Sequence, residues 1–324
     1  MCTAIRFNER YFGRTLDYEK SFGESLVVTP REKMQILGAA NRYAMMGVGV
    51  ILGDTPMYFD GVNEWGLTAA ALNFPGYAVY RSSDKEGSGI PSGELISHIL
   101  GLCRSVSEVR DMLGKIAISD SAAEGHTKPS PLHWIIADGR ECAVVEAVAE
   151  GLRICNNPVG VLTNAPDFNY HLTRLADFSS LRAENPRNGL SGSKPYSRGM
   201  GAIGLPGDFS SSSRFVRAVF LRDCCFGRMS ADDIGEVSRA FSVLSSLSIP
   251  IGTVLSDDGR PVFTRYTALV DLAEPSYYLT TASCRTVLHI RLNDGLCDGK
   301  GVQSYPIYRK EAILPLVDIS GSSR

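Results

Sequence analysis

The 324-residue chain sets 33 Lys and Arg against 35 Asp and Glu, a net charge of −2, so it offers no basic field for a nucleic acid. Hydrophobic residues at 44% and charged residues at 21% are the proportions of a folded globular protein and exclude disordered, collagen-like and coiled-coil classes. The longest apolar run, Ala44 to Leu52, is broken by Gly47 and Gly49 and falls short of the roughly 20 residues that cross a bilayer.

In chain order, residues 2–7, 25–29, 44–52 and 65–73 are rich in β-branched and small apolar residues between Gly, Asn and Asp, which predicts strands. From Ser92 to about Ile116, Leu95, Ile96, Ile99 and Leu100 and then Val106, Val109, Met112 and Leu113 recur at helical spacing. Ser105 and Glu108 are placed as a capping box for the second of these helices. Strands return at Leu132 to Ala137, Cys142 to Val148, Leu152 to Cys155 and Val159 to Thr163. Helical spacing resumes over Phe168 to Leu181, Ser213 to Cys225 and Ala231 to Leu247, before strands near 262–272, 276–282 and 285–292. Strands segregated from paired helices favour antiparallel sheets covered by helices, an α+β sandwich, over a doubly wound parallel fold. No internal repeat is visible, and the Gly-, Pro- and Ser-rich stretch from Glu184 to Pro206 is bounded by strong secondary structure rather than set off as a linker. Residues 1–324 are therefore read as one domain.

The eight cysteines, Cys2, Cys103, Cys142, Cys155, Cys224, Cys225, Cys284 and Cys297, show no CxxC or zinc-finger spacing, so mostly free, buried thiols are expected. Arg6, Asn8, Glu9 and Arg10 interrupt the opening where a secretory signal needs an apolar stretch, and a cytoplasmic protein is expected.

Cys2 is the most informative position. Initiator methionine is normally removed when the next residue is small, which would leave Cys2 with a free α-amino group. Such an amine titrates near ~7.7–8.0, where a lysine amine stays protonated, and it can take the proton of an adjacent thiol. Arg14 and Asp17, in the short span Phe12 to Glu19 after the first strand, supply a guanidinium to favour a thiolate and a carboxylate to hold an amine. Alone they read equally well as a surface ion pair worth ~0–1 kcal/mol. Asn73 and Asn164 each follow an apolar run and could donate to a developing oxyanion, although asparagine is also common in turns. Asp208 and the serines after it make a natural helix start, and Arg214 in that first turn is unfavourable by up to ~1 kcal/mol beside the positive helix end. An arginine placed there has reason to present its fork to an active-site group.

Met1-Cys2-Thr3, Phe12 to Asp17, Leu72-Asn73-Phe74-Pro75-Gly76, Leu162-Thr163-Asn164, Tyr196 to Gly201, Gly204 to Asp208 and Ser213-Arg214-Phe215 together resemble the choloylglycine hydrolase family, which contains bile salt hydrolases and penicillin V acylases. The resemblance implies a four-layer αββα N-terminal-nucleophile hydrolase sandwich with two stacked antiparallel sheets and no metal or organic cofactor. It assigns Cys2 as nucleophile with its own amine as base, Arg14 and Asp17 as partners of the Cys2 thiol and amine, Asn164 and the backbone or side chain of Asn73 as oxyanion donors, and Arg214 as a support for the nucleophile. It also implies that a loop near residues 184–203 serves assembly of a homotetramer. Asn73 stands where penicillin V acylases typically carry tyrosine, so the expected substrate is a glycine- or taurine-conjugated bile acid, with penicillin V or another N-acyl amide as the alternative. Leu16, Tyr18, Met57, Tyr58 and Phe59, in loops near the first strands, are candidates for the apolar pocket, and Arg198 for the charged end of the conjugate. A papain-like protease is disfavoured, because none of the five histidines lies in a papain-type setting.

Overall fold

The computed structural model describes residues 1–81, 89–122, 128–189, 192, 194, 197–227, 234–311, 313, 315 and 316. Two large antiparallel sheets dominate them. The seven-stranded sheet runs in the order Val161–Leu162, Cys2–Arg6, Tyr11–Tyr18, Pro261–Asp271, Ser276–Thr281 and Cys284–Arg291, with Val254–Leu255 paired beside Pro261–Asp271. The nine-stranded sheet runs Gly151–Asn156, Cys142–Val148, Leu132–Ala137, Thr68–Asn73, Asp60–Asn63, Met45–Leu52, Ser25–Thr29 and Gln303–Pro306, with Thr55–Tyr58 beside Met45–Leu52.

Strand periodicity sorts the core into layers. Along Leu132–Ala137, Ile135 and Ala137 join the cluster that contains Phe12 and Leu16 of the other sheet, whereas Trp134 and Ile136 join Ile96, Ile99, Val106 and Val109 of the helices Leu95–Leu102 and Val106–Leu113. The nine-stranded sheet is thus buried on both faces. Helices Ser211–Gly227 and Glu236–Leu247 cover the outer face of the seven-stranded sheet. Gly13 permits this approach: a Cβ there would lie 2.8 Å from Leu244 Cδ1 and 2.9 Å from the Ala268 carbonyl. The result is the expected α+β sandwich, helices outside and two antiparallel sheets within.

The segment Tyr11–Tyr18 is a full strand rather than a connection, paired to Cys2–Arg6 with Cys2 opposite Leu16. Its buried Arg14, Thr15 and Asp17 hide the apolar alternation by which a strand is recognised. The expected helix over 168–181 is α-helical only across Phe168–Arg174 and continues as a 3₁₀ turn over Leu175–Phe178. The helix expected over 231–247 is seen from Glu236 to Leu247, and Ala231 lies outside the described residues. So do Leu190, Ser191, Ser193, Pro195 and Tyr196 of the expected assembly loop, whose described part is folded by the Asn185 side chain bridging the Ser197 carbonyl and the Met200 N–H.

Alternation along Tyr11–Tyr18 sends Gly13 toward the helices and Arg14 toward the facing sheet. There Arg14 Nη1 donates to Asp60 Oδ2 at 3.2 Å and to the Phe59 carbonyl at 3.1 Å. Tyr266 and Tyr277, from the same sheet as Arg14, donate their hydroxyls to the Asp60 carboxylate. Both charges are almost fully buried, so neither is solvated if its partner is lost. Asp60→Asn is expected to destabilise the fold by about 3–5 kcal/mol, the cost typical of an orphaned buried charge. Denaturant unfolding at neutral pH checks this, and a loss below about 1 kcal/mol, the size of a surface pair, would contradict it.

Candidate active site

Cys2 opens the first strand and is 4% exposed. Its backbone nitrogen donates to Asn164 Oδ1 at 2.8 Å. Asn164 lies just past the edge strand Val161–Leu162, which pairs with Cys2–Arg6, so sheet register delivers it to the start of the chain. The same Oδ1 accepts from Arg214 Nη2 at 2.7 Å, and Asn164 Nδ2 donates to the Asn73 carbonyl at 2.8 Å. An amide nitrogen has two hydrogens, so the second on Nδ2 is left over from that bond.

Arg214 is buried at the start of helix Ser211–Gly227, where sequence alone gave it no local reason to be. Its Nη1 donates to the Cys2 carbonyl and to Thr3 Oγ1, and its Nε to the Phe209 carbonyl at 3.0 Å. Burial lowers the Arg214 pKa from its ordinary value, with Asp17 and Cys2 opposing the shift and Arg217 adding to it. Asp208 supports this helix start, accepting from Ser210 N–H at 2.9 Å and Ser213 Oγ at 2.6 Å, bonds that pull its pKa down to about 2.

Arg14 and Asp17 do not pair with each other. Burial penalises the Arg14 charge, but Tyr266, Cys2 and Asp60 outweigh that penalty and hold its pKa above the ordinary value. Arg14 Nη2 is buried and lacks a hydrogen-bond partner among the described residues. The Asp17 carboxylate accepts from Thr15 Oγ1 at 3.2 Å and Thr264 Oγ1 at 2.5 Å, while its backbone brackets Met1: the Asp17 N–H donates to the Met1 carbonyl at 2.8 Å and the Asp17 carbonyl accepts from the chain amine. Asn73, half-buried at the end of Thr68–Asn73, meets the cluster through its carbonyl.

The Asn164 backbone is equally constrained. Its N–H donates to Ser211 Oγ at 2.9 Å, and its carbonyl accepts from His171 Nε2 at 2.9 Å and from Ser211 Oγ at 2.8 Å. Burial lowers the His171 pKa, and this ring stacks on Phe215 with centroids 4.8 Å apart. The stability contributed by neutral His171 is therefore complete above the ordinary histidine value of about 6.5 and is lost as pH falls through the lowered one.

Of the pocket candidates, Leu16, Tyr18, Met57 and Tyr58 lie on strands rather than in loops, and Phe59 joins Thr55–Tyr58 to Asp60–Asn63. Phe59 packs against both the Cys2 core and a small cluster of Val50, Leu52 and Met57. It is also the inner member of an aromatic string: Phe22 lies 5.3 Å from Phe59 and 4.7 Å from Tyr18 between ring centroids. Phe22 is 39% exposed, an apolar surface that the sequence reading did not single out; a phenylalanine inside the turn Ser21 to Glu24 was the available signal. Tyr58 does not belong with these residues. It packs in the other core, against the helices, and its hydroxyl is bonded to Thr29 Oγ1 at 2.7 Å, because neighbouring residues of a strand face opposite ways. Arg198 is exposed, and among the described residues no hydrogen bond or ion pair joins its side chain to the Cys2 cluster. Asp60, Tyr266 and Tyr277, which surround Arg14, were not foreseen; nothing near them in sequence marks a pairing across two sheets.

Residues 2–305 match the family model for linear amide C–N hydrolases of the choloylglycine hydrolase family. The chain is 38% identical over 321 residues to the bile salt hydrolase/transferase of Lactiplantibacillus plantarum, covering 96% of this chain and 98% of that one. Its fold is similar to the crystal structure of the C2A mutant of conjugated bile acid hydrolase from Clostridium perfringens, with a TM-score of 0.90 at 31% identity over 98% of this chain and 100% of the other. Penicillin V acylase from Agrobacterium tumefaciens shares the fold, with a TM-score of 0.71 at 21% identity over 94% of this chain and 90% of the other. With its two stacked antiparallel sheets and its match over residues 2–305 to these C–N amide hydrolases, the chain belongs to the choloylglycine hydrolase family.

Proposed function

We propose that this enzyme hydrolyses the amide bond of glycine- or taurine-conjugated bile acids, with Cys2 as the nucleophile once Met1 has been removed. The observation that carries the reading is the convergence on Cys2: its nitrogen lies 2.8 Å from Asn164 Oδ1, its carbonyl accepts from the buried Arg214 Nη1, and the buried Arg14 sits opposite Ala4 on the neighbouring strand. With Met1 gone, that nitrogen is a primary amine held by Asn164 and able to take the thiol proton. The sulfur attacks the amide carbonyl carbon, and the carbonyl oxygen gains charge that the spare Asn164 N–H and an N–H of Asn73 offset. The ammonium returns its proton to the departing amine, leaving a thioester. Water activated by the same amine then releases the acid and restores the thiol. Asp17 fixes the strand backbone where the new chain end sits, through its bonds to Thr15 and Thr264.

Relatives named bile salt or conjugated bile acid hydrolases stand at 32–38% identity, whereas a penicillin V acylase relative stands at 24%, which supports a bile acid over penicillin V. The apolar surface of Phe22 with the half-buried Phe59 and Tyr18, backed by the buried Met57, suits a steroid body. All eight cysteines are free and, among the described residues, no helix is long and apolar enough to cross a membrane, in keeping with a cytoplasmic enzyme.

Equal concentrations of glycocholate, taurocholate and penicillin V are expected to give faster release of glycine or taurine than cleavage of penicillin V; the reverse order would make the enzyme an acylase. Cys2→Ala should lose several orders of magnitude in turnover while still binding glycocholate, and an unchanged rate would remove Cys2 from the chemistry. Light scattering is expected to show a tetramer, and a monomer at micromolar concentration would contradict the assembly role of residues 184–203.

A further inference from the structure

Behind Asn164 lies a buried pair that the mechanism above does not use. Trp134 pairs with Val145 across two neighbouring strands, which sets His133 opposite Glu146 on the face shared by the two sheets. Both side chains are almost wholly buried, with His133 Nδ1 3.1 Å from Glu146 Oε1. His133 Nε2 lies 2.8 Å from the carbonyl oxygen of Thr163, the residue before Asn164. Glu146 Oε1 also accepts the N–H of Phe168 at 3.0 Å, at the start of the helix that follows Asn164.

The hydrogen-bond network assigns the protons. A carbonyl only accepts, so the imidazole hydrogen on Nε2 points at Thr163. Nδ1 and the carboxylate then need one further proton between them, and with it the pair is neutral overall whichever atom carries it. Phe74 stacks on the imidazole with centroids 4.2 Å apart and fixes its plane. The pair thus grips both ends of the turn from Thr163 to Phe168 that presents the Asn164 carboxamide.

We propose that His133 and Glu146 form a positioning pair for Asn164, holding its carboxamide where it meets both Cys2 and the oxygen of the scissile carbonyl. This inference rests on the hydrolase reading above. Since it acts on placement of an oxyanion donor, its loss should fall on turnover rather than substrate affinity. His133→Phe keeps a planar ring and removes both bonds. Its kcat for glycocholate is expected to drop about 100-fold, the cost of a misplaced donor, with KM changed by less than about three-fold. His133→Gln, which can still donate to the Thr163 carbonyl, should recover at least about ten-fold of that loss. A kcat within about two-fold of the parent in the phenylalanine variant, or equal losses in both variants, would overturn the proposal.

Crystal structures of the variants give a readout that needs no substrate. Asn164 should leave its 2.8 Å contact with the Cys2 nitrogen when the bond to the Thr163 carbonyl is lost, and only then. Any other combination overturns the proposal, and His133→Gln alone suffices for this test if the phenylalanine variant does not fold. A parent enzyme without turnover would instead fault the hydrolase reading.

Discussion

The carboxamide of Asn164 is the joint on which the site depends. Its oxygen accepts from the Cys2 nitrogen and from Arg214, and its nitrogen donates to the Asn73 carbonyl. One short side chain therefore ties together the start of the first strand, the first turn of an outer helix and the end of a strand in the other sheet. The bonds to Cys2 and Arg214 are buried and the bond to Asn73 is part-buried, so the first two cost most when unmade. The edge strand Val161–Leu162 brings Asn164 within reach, and the packing of the helix from Ser211 to Gly227 keeps Arg214 there.

Charge burial follows from this arrangement. Arg14, Asp60, Asp17 and Arg214 are all nearly inaccessible to solvent, an expensive set for a core. The cost is offset because each has polar partners: Arg14 has Asp60 and the Phe59 carbonyl, Asp17 has two threonine hydroxyls, and Arg214 has the carbonyls of Cys2 and Phe209 with Asn164. Arg14 is left with one buried nitrogen, Nη2, that has no hydrogen-bond partner among the described residues.

Much of this was legible in the sequence, and the exceptions have physical causes. Apolar periodicity marked six strands of the nine-stranded sheet and the outer helices, since those elements bury regular faces, but not the short strands Thr55–Tyr58, Asp60–Asn63 and Gln303–Pro306. It failed on Tyr11–Tyr18, where Arg14, Thr15 and Asp17 occupy interior positions. Cys2 stood out beside the initiator methionine and Arg214 at a positive helix end, whereas Arg14, Asp17 and Asn164 are ordinary alone and gained weight only from several segments resembling one family together. Asp60, Tyr266 and Tyr277 could not be singled out, because their pairing is made across the gap between sheets by residues that are ordinary in their own strands. Tyr58 shows the opposite error: next to Met57 and Phe59 in sequence, it faces the other core.

The central claim is that the chain, freed of Met1, carries acyl groups on the Cys2 sulfur. The most direct test is mass spectrometry of enzyme quenched in acid during glycocholate turnover. An N-terminal peptide beginning at Cys2 and bearing the cholyl group as a thioester is the expected result. An active enzyme that retains Met1, or an acyl group found on any other residue, would contradict the account.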